Sequence, residues 1–267
     1  MSFSPTTIAG LFALLLAITA VRYLIFAGGA WVVGYLLFPR RWAHRKIVPR
    51  PPLAADVRRE LRQSALTVLI FALVGCLTFL AAEQGWTRLY RDPQDYGWLW
   101  FWASIALAVV IHDAYFYWTH RLMHHPRWYR LVHLAHHRST NPTPWAAYSF
   151  SPWEAVVEAG IFPLLMSTLP MHPLALSIFL LWQILFNVLG HAGYEYNGRH
   201  VSGTFMRFLI NTPTNHIMHH QRTNGNFGLY FNWWDRLMGT NHADYDERLR
   251  ELTTRQRPAA TGASNSA

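Results

Sequence analysis

Cysteine and charged residues are both scarce in this sequence. The chain of 267 residues contains one cysteine, Cys76, and only 14% of its residues are charged, against roughly 25% in a soluble domain. A single thiol excludes a disulfide framework, a thiolate zinc site and an iron–sulfur cluster. There is also no flavin or dinucleotide fingerprint. These absences exclude several common redox centres and argue against a soluble globular domain.

Apolar and aromatic residues take the place of charge. Hydrophobic residues make up 52% of the chain and aromatic residues 15%, including 13 tryptophans. Such a composition is typical of a membrane protein, because lipid-facing surface needs no charge and tryptophan favours the membrane interface. The net charge of +9 lies beside apolar segments. It therefore favours attraction to anionic lipid headgroups over nucleic-acid binding.

Long apolar stretches predict the fold class. About 20 apolar residues cross a bilayer as a helix, and such stretches occupy 5–38, 65–82, 97–118 and 153–190. The first is interrupted by Arg22 and Gly28–Gly29, so it is expected to tilt, kink or let its arginine snorkel. The last is divided near "STLPMHP", which predicts a hairpin. We therefore expect an all-α integral-membrane helical bundle of about four to five segments.

The chain divides into three expected regions. Residues 1–96 hold N-terminal transmembrane helices and a basic loop, 97–250 hold the histidine-rich domain, and 251–267 form a disordered tail. The loop 39–63 is rich in lysine and arginine, whereas 87–96 balances two arginines with two aspartates. The positive-inside rule then places 39–63, and with it every histidine run, on the cytoplasmic face.

Histidine is concentrated in two stretches, "HRLMHHPRWYRLVHLAHH" at 120–137 and "NHIMHH" at 215–220. Residues three and four apart share one helical face. Three sets follow this spacing: His120 and His124; His133, His136 and His137; His216, His219 and His220. With His191 of "GHAGYE" as a ninth candidate, the imidazoles exceed the three or four that satisfy one metal ion. The spacing predicts two metal ions with open positions.

Nitrogen ligands suit zinc, copper, iron and nickel, and the surplus over a closed structural zinc site favours a catalytic pair. The catalytic pair that best fits these ligands is two ferrous ions, which act with dioxygen on an apolar substrate. The alternatives are a histidine-rich membrane protein for metal binding or transport, and a haem protein with paired histidines. The remaining candidates, His44, His125, His172 and His242, are expected to be ordinary surface or packing residues.

Four sequence motifs carry a family resemblance: "HDAYFYWTHRLMH", "HLAHHRSTNPTPWAAYSF", "GHAGYE" and "NHIMHH…NFGLYFNWWDRLMGT". With them the chain resembles the fatty acid hydroxylase superfamily, in its sterol desaturase (lathosterol oxidase-like) branch. The resemblance covers about residues 97–242, so the histidine-rich domain matches the family's catalytic domain. It implies a membrane-bound, non-haem di-iron oxygenase that hydroxylates or desaturates a lipid with dioxygen and external electrons. The nine histidines above match the family's boxes, and zinc is an expected adventitious occupant.

Other residues receive roles from this interpretation. Residues expected to support the metal ligands are His112, Asp113, Glu195, Asn215 and Asp235, and those expected to line the substrate entry are Tyr115, Trp145 and Trp153. One departure from the family pattern is Ser151 in "SFSPWEA", where a histidine is expected. The substrate, whether sterol, fatty acyl, carotenoid or hopanoid-like, and the choice between hydroxylation and desaturation stay open.

The expected partners are a lipid substrate, the bilayer and a separate electron donor, such as a cytochrome or a ferredoxin with its reductase. Segment 39–63 together with Arg127, Arg130 and Arg138 is a candidate docking surface for an acidic donor, and equally for lipid headgroups. No nucleic acid is expected. The terminal "SNSA" carries no endoplasmic-reticulum retrieval signal, which favours a bacterial inner membrane over the endoplasmic reticulum.

Overall fold

The computed structural model describes residues 4–255, and this part of the chain is helical, with three isolated β-bridges and no strand. The helices are α1 (Pro5–Leu37), α2 (Ala54–Glu83), α3 (Gly97–Met123), α4 (Pro126–Val132), α5 (Leu134–His137), α6 (Pro152–Ala159), α7 (Ile161–Thr168), α8 (Pro173–His191), α9 (Pro213–Arg222), α10 (Trp233–Leu237) and α11 (Tyr245–Thr254). Short helical segments also occupy Pro39–Trp42, Ala43–Arg45, Pro93–Asp95, Pro144–Tyr148, Arg199–Ser202 and Met206–Leu209. The predicted all-α class is confirmed.

Four helices of residues 4–255, α1, α2, α3 and α8, are long and apolar enough to cross a membrane. Their most apolar 18-residue windows have mean hydropathies of 2.2, 2.5, 1.5 and 1.8. The number lies at the lower end of the predicted range. In the predicted hairpin, α6 and α7 have eight residues each and are separated at Gly160. A helix of that length spans only about 12 Å, so α8 is the one arm of the hairpin that could cross a bilayer alone.

The first helix keeps its arginine inside the protein. Ser4 caps α1, accepting a hydrogen bond from the Thr7 backbone N–H, and the helix loosens into π-helical turns at Leu24–Gly28 and Val32–Leu37. Arg22 donates from Nη2 to the hydroxyl oxygen of Tyr148, 3.2 Å away. The arginine is therefore held by a side chain of the bundle.

Two buried clusters fix the bundle around the histidine-rich region. One joins α1, α2 and α8 to the segment 144–150, and the other joins α3, α7 and α8 to Tyr230. Helix α9 lies behind them and every residue from 213 to 220 is buried. Its Met218 packs against Tyr245 and Leu249 of α11. The most histidine-rich helix is thus enclosed by protein on all sides.

The C-terminal boundary of the folded part differs from the expectation. Helix α11 continues to Thr254, and Leu252 is fully buried against Ile47, Val48 and Ile217. The predicted disordered tail therefore starts too early at residue 251, because the apolar face of α11 is needed to cover α9. Residues 256–267 of that predicted tail lie outside the described part of the chain.

Candidate metal centre

The ends of several helices bring the histidines together. His120 lies in the last turn of α3, and His124 caps that helix. His133 separates α4 from α5. His191 is the last residue of α8, and α9 contributes three further imidazoles. Segments that are far apart in sequence therefore meet at one end of the membrane helices.

The nine imidazoles form two groups whose candidate ligand atoms lie within 4.8 Å of one another. The first group is His120, His124, His133, His137 and His219, and the second is His136, His191, His216 and His220. Within the groups, pairs of Nε2 atoms lie between 2.9 and 3.2 Å apart. The structure therefore brings together all nine histidines that the sequence singled out, and divides them as two separate sites.

Backbone carbonyls fix the tautomer of four of these rings. The Nδ1–O distances are 2.9 Å from His120 to Phe227, 3.3 Å from His136 to Ser149, 2.7 Å from His191 to Asn187 and 2.7 Å from His219 to Gly225. Because a carbonyl accepts and cannot donate, the proton stays on Nδ1 and the lone pair on Nε2. Several bare nitrogens then face one another at about 3 Å, an arrangement that a cation between them stabilises.

Burial keeps the imidazoles neutral and able to bind a metal. Loss of solvation, followed by the proximity of the other rings, holds the pKa of His133, His136 and His219 well below its usual range. The same causes lower the pKa of His216 and His220. A neutral imidazole is the form that ligates metal ions. Both groups are therefore ready for a metal at neutral pH.

The nitrogen spacing tests whether metal ions fit. Ligand nitrogens about 2.1 Å from a metal lie about 3.0 Å apart when they subtend a right angle, and about 3.4 Å apart at the tetrahedral angle. The observed 2.9 to 3.2 Å matches the right-angle value. When the ligands subtend right angles at the metal ion, a group of five nitrogens and a group of four both leave coordination positions open. A closed tetrahedral zinc site leaves none. The residues fit two metal ions with room for another ligand.

A buried glutamate that the sequence analysis missed contacts the first group. Glu154 Oε1 lies 2.8 Å from His133 Nδ1, and the two side chains are 1% and 2% exposed. Ser151 caps α6, since its hydroxyl accepts from the Glu154 backbone N–H and donates to the Val132 carbonyl. The Ser-x-x-Glu spacing of a helix start was present in "SPWE" and could have drawn attention to Glu154. Ser151 stands where the family pattern predicts a histidine, and position 151 is part of neither histidine group.

The expected supporting aspartates act through the backbone. Asp113 accepts hydrogen bonds from the Tyr230 and Phe231 N–H groups and from the Trp233 indole. Asp235 accepts from two further N–H groups, at 227 and 228. Neither carboxylate bonds an imidazole directly. Together they hold the 227–233 loop. The first carbonyl of this loop, that of Phe227, accepts from Nδ1 of His120 in α3.

The other three residues expected to support the ligands also make no hydrogen bond to an imidazole of the two groups. Glu195 accepts from the Thr214 N–H and hydroxyl, so it anchors the start of α9. Asn215 donates to the Asn241 side chain. His112 pairs through Nδ1 with the Tyr230 hydroxyl at 2.8 Å and belongs to neither group. These side chains position the segments that carry the histidines.

Two of the three aromatic residues expected at the substrate entry take part in contacts between helices. Tyr115 donates to the Val157 carbonyl, and Trp145 packs on Tyr23 and Trp31. Trp153 is 59% exposed on the outer face of α6. It lines an apolar groove together with Met123 and Val132, the residues that directly precede His124 and His133. Packing accounts for Tyr115 and Trp145, and contact of these aromatic side chains with a substrate stays a prediction.

The remaining histidines lie outside both groups, as expected. His125 is exposed and caps α4, and His172 caps α8. Beside the second group, a groove is lined by His191 and His216 and otherwise by mainly apolar side chains, including Leu229. This groove gives small molecules access to two of the candidate ligands.

A bundle of membrane-length helices that ends in two groups of buried imidazoles defines a class of protein, the histidine-rich membrane proteins whose imidazoles could hold metal ions. Residues 105–240 match the family model for fatty acid hydroxylases, and the chain belongs to this family. No solved structure matches it.

Curated relatives place the chain in the sterol desaturase branch, so the resemblance seen in the sequence is confirmed. A Delta(7)-sterol 5(6)-desaturase of Gibberella zeae is 34% identical over 214 residues, 80% of this chain and 63% of the relative. Another, of Aspergillus fumigatus, is 31% identical over 83% of this chain and 72% of the relative. A lathosterol oxidase of Mus musculus is 29% identical over 70% of this chain. The chain thus spans 63% of the first relative's length.

Proposed function

We propose that this protein is a membrane-bound di-iron oxygenase that desaturates or hydroxylates a lipid at an unactivated C–H position. The observation that carries the proposal is the pairing of a five-imidazole and a four-imidazole group, free of thiolate and carboxylate, at the end of membrane-length helices. Imidazole suits iron, and open positions suit a catalytic rather than a structural site.

The chemistry divides between the metal ions and the chain. When bound, two iron ions would supply the redox capacity to activate dioxygen against a strong C–H bond. The chain holds nine Nε2 lone pairs in place, fixes four rings through backbone carbonyls and steadies His133 with Glu154. Burial of eight of the nine rings keeps water from the reacting atoms.

The names of the relatives support a lipid as the substrate. The two fungal proteins are named as sterol 5(6)-desaturases, and the mouse protein as lathosterol oxidase. Membrane-length helices give such a substrate an apolar route to the site. A sterol-like lipid is therefore favoured over a fatty acyl chain. We infer desaturation as the main reaction and keep hydroxylation as the second outcome of the same oxidation.

The electrons would come from a separate protein. His124 is the one member of the two groups that is partly exposed, and its ring lies 5.3 Å from that of Tyr129 in α4. Exposed Arg127, Arg130 and Arg138 surround this region. A donor with an acidic face, such as a cytochrome or ferredoxin, would be attracted there. The fungal and mouse relatives are from eukaryotes, which favours the endoplasmic reticulum over the bacterial inner membrane that the sequence suggested.

Metal transport, the alternative function, is less well supported. A transporter places its ligands along the path of the ion through the membrane. Both histidine groups lie at one end of α3 and α8, enclosed by α9 and α11. Such a position suits a resident metal ion.

The test combines metal analysis with oxygen consumption. Detergent-purified protein, reconstituted with ferrous ion, is expected to hold about two irons per chain and to consume dioxygen only with both a reductant and a lipid extract. Product analysis by mass spectrometry would then distinguish a loss of two hydrogens from a gain of one oxygen. Zinc alone, with no uptake after iron reconstitution, would contradict the proposal.

A further inference from the structure

Helix α4 joins two candidate metal ligands and is poorly enclosed by the protein. It follows His124 and His125, and it ends at Val132, directly before His133. None of its seven residues is buried. A helix of this length is not stable in isolation, because forming its first turn costs more than its few hydrogen bonds return. The placement of two ligands of the first group therefore depends on what holds α4 in position.

One face of α4 forms a wall of an exposed apolar groove. Trp128 and Leu131, three positions apart on this face, are 49% and 58% exposed. The groove runs between α4, the end of α3 and the outer face of α6, where Leu122, Trp153 and Val156 contribute to its walls. All the side chains that line it are apolar. An exposed apolar patch of this kind marks a contact with a membrane or with another protein.

The groove lies at the level where α3 leaves the bilayer. The hydrocarbon core takes about 20 helical residues, and α3 has 27, so its last two turns reach the membrane interface. Trp118 and Leu122 lie in these turns and are exposed. Exposed Trp128 and Trp153 stand across the groove from Leu122, and tryptophan favours the membrane interface. The groove is therefore continuous with the lipid-facing surface of α3.

Arginines border the apolar face of α4. Arg127 and Arg130 are exposed and lie three positions apart on the neighbouring face of the helix. Arg121, in the last turn of α3, places its guanidinium 6.0 Å from the centre of the Trp118 ring. No aspartate or glutamate occurs from residue 114 to residue 153, so this whole segment is basic. An apolar face bordered by basic side chains is the pattern of a helix that lies in the membrane interface, where anionic headgroups attract the basic residues.

We propose that α4 lies in the membrane interface and that this contact with the bilayer holds the first histidine group in place. Acyl chains of bulk phospholipid fill the groove, and Arg127 and Arg130 lie among anionic headgroups. Bulk lipid is the occupant because the groove has no polar side chain that would select one particular molecule.

The contact acts on one group of histidines and not on the other. Lipid fixes α4, and α4 fixes the separation of His124 and His133, which both belong to the first group. No histidine of the second group adjoins α4 in the chain, so that group is expected to be independent of the contact. The effect on metal binding rests on the proposed function, whereas the contact with lipid does not.

A nitroxide label measures the depth of α4 in the bilayer. Cys76 is the one cysteine of the chain, so Cys76→Ala gives a background in which a single new cysteine carries the label. Leu131→Cys places the label on the apolar face of α4, and Arg250→Cys places it on an exposed position of α11 as the reference in water. The protein is held in nanodiscs of phosphatidylcholine and phosphatidylglycerol. The label at position 131 is expected to be relaxed more strongly by dioxygen, which concentrates in the bilayer, than by a water-soluble nickel complex, and the label at position 250 the reverse.

Three results of this measurement would overturn the contact with lipid. A label at position 131 that is as accessible to the nickel complex as the label at position 250 would place α4 in water. A label shielded from both reagents would assign the groove to a protein segment. Dipolar broadening between the labels of two chains would assign it to a second copy of this protein.

Iron retention tests the effect of the contact on the first group. Leu131→Ser removes an apolar side chain from the groove. Leu99→Ser is the matched control, because Leu99 is 88% exposed at the opposite end of α3, which carries no histidine of either group. In iron-loaded nanodiscs, Leu131→Ser is expected to release part of its iron at about 10-fold lower chelator concentration than wild type. Leu99→Ser is expected to match wild type.

The two measurements separate the possible failures. Equal release of iron from Leu131→Ser and wild type would show that the contact does not hold the first group. Wild type that retains no iron in nanodiscs would contradict the metal centre itself, and with it the effect on the first group, while the depth of the label would still decide the contact with lipid. A failure of the proposed function is therefore distinguishable from a failure of this inference.

Discussion

Glu154 and His133 form a buried pair at the edge of the first histidine group, with Oε1 and Nδ1 2.8 Å apart. Burial raises the pKa of Glu154 well above its usual range and lowers that of His133. The pair depends on Ser151, which starts α6 where it can hold Glu154 against the end of α4. A helix cap thus positions one candidate ligand.

Replacing Glu154 is expected to weaken metal binding. Partners of ligating histidines contribute about 10- to 100-fold in metal affinity, so Glu154→Leu should shift chelator competition by about that factor. Glu154→Gln keeps an acceptor and should lose less. Glu251→Gln is the control, because that side chain is 51% exposed in a surface pair with Arg248. The same chelator midpoint in Glu154→Leu and wild type would rule out this role.

The two groups are expected to lose metal independently. His219→Ala removes one candidate ligand nitrogen from the first group of five histidines, and His136→Ala removes one from the second group of four. Each variant should retain clearly less than two irons per chain and show no lipid-dependent oxygen uptake. His125→Ala should be nearly silent, because that ring is exposed and belongs to neither group. Full iron content or retained turnover in the first two variants would contradict the ligand assignment.

The nine histidines were predictable because their spacing records the chemistry directly. Histidines three and four positions apart on short helices can be recognised without knowing the fold. The carboxylates were less predictable. Asp113 precedes His120 by seven residues on the same face of α3, but seven residues rise by about 10.5 Å, too far for contact. It therefore meets the loop 230–233 instead.

Glu154 shows the complementary difficulty. Its distance from His133 depends on how α6 packs beside α4, and spacing along the chain carries no record of that packing. The position of Trp153 depends on the same packing, which places it on the outer face of α6 in an apolar groove beside Met123 and Val132. Arg22 and Glu158 line one cavity although they come from separate helices, so only the fold brings them together.

The metal-free protein is expected to lose stability below about pH 6.5, the usual range of histidine. Folding lowers the pKa of the buried imidazoles, to about 3 for His137, so the unfolded chain binds protons that the folded chain does not. By linkage, the free energy of unfolding falls as the pH falls from about 6.5 towards that value. Burial raises the pKa of Glu158 to about 8, which acts in the opposite sense, but such glutamates are outnumbered.

Denaturant unfolding in detergent, compared at pH 8 and pH 5.5, checks this expectation. The iron-loaded protein should change less over the same interval, because metal binding holds the imidazoles in their neutral form. An apo protein as stable at pH 5.5 as at pH 8 would mean that the rings are solvated and not packed as two groups.

Removing Asp235 is expected to destabilise the protein and to disturb His120 without touching it. Asp235→Leu leaves the buried N–H groups of Phe227 and Gly228 without their acceptor, at a cost of about 1 to 3 kcal/mol each. The Phe227 carbonyl that accepts from His120 Nδ1 should shift with the loop. We expect a lower unfolding midpoint and a lower iron content, whereas exposed Asp95→Leu should change neither. A variant that unfolds earlier but keeps both irons at wild-type affinity would show that the loop stabilises the fold without orienting the ligand.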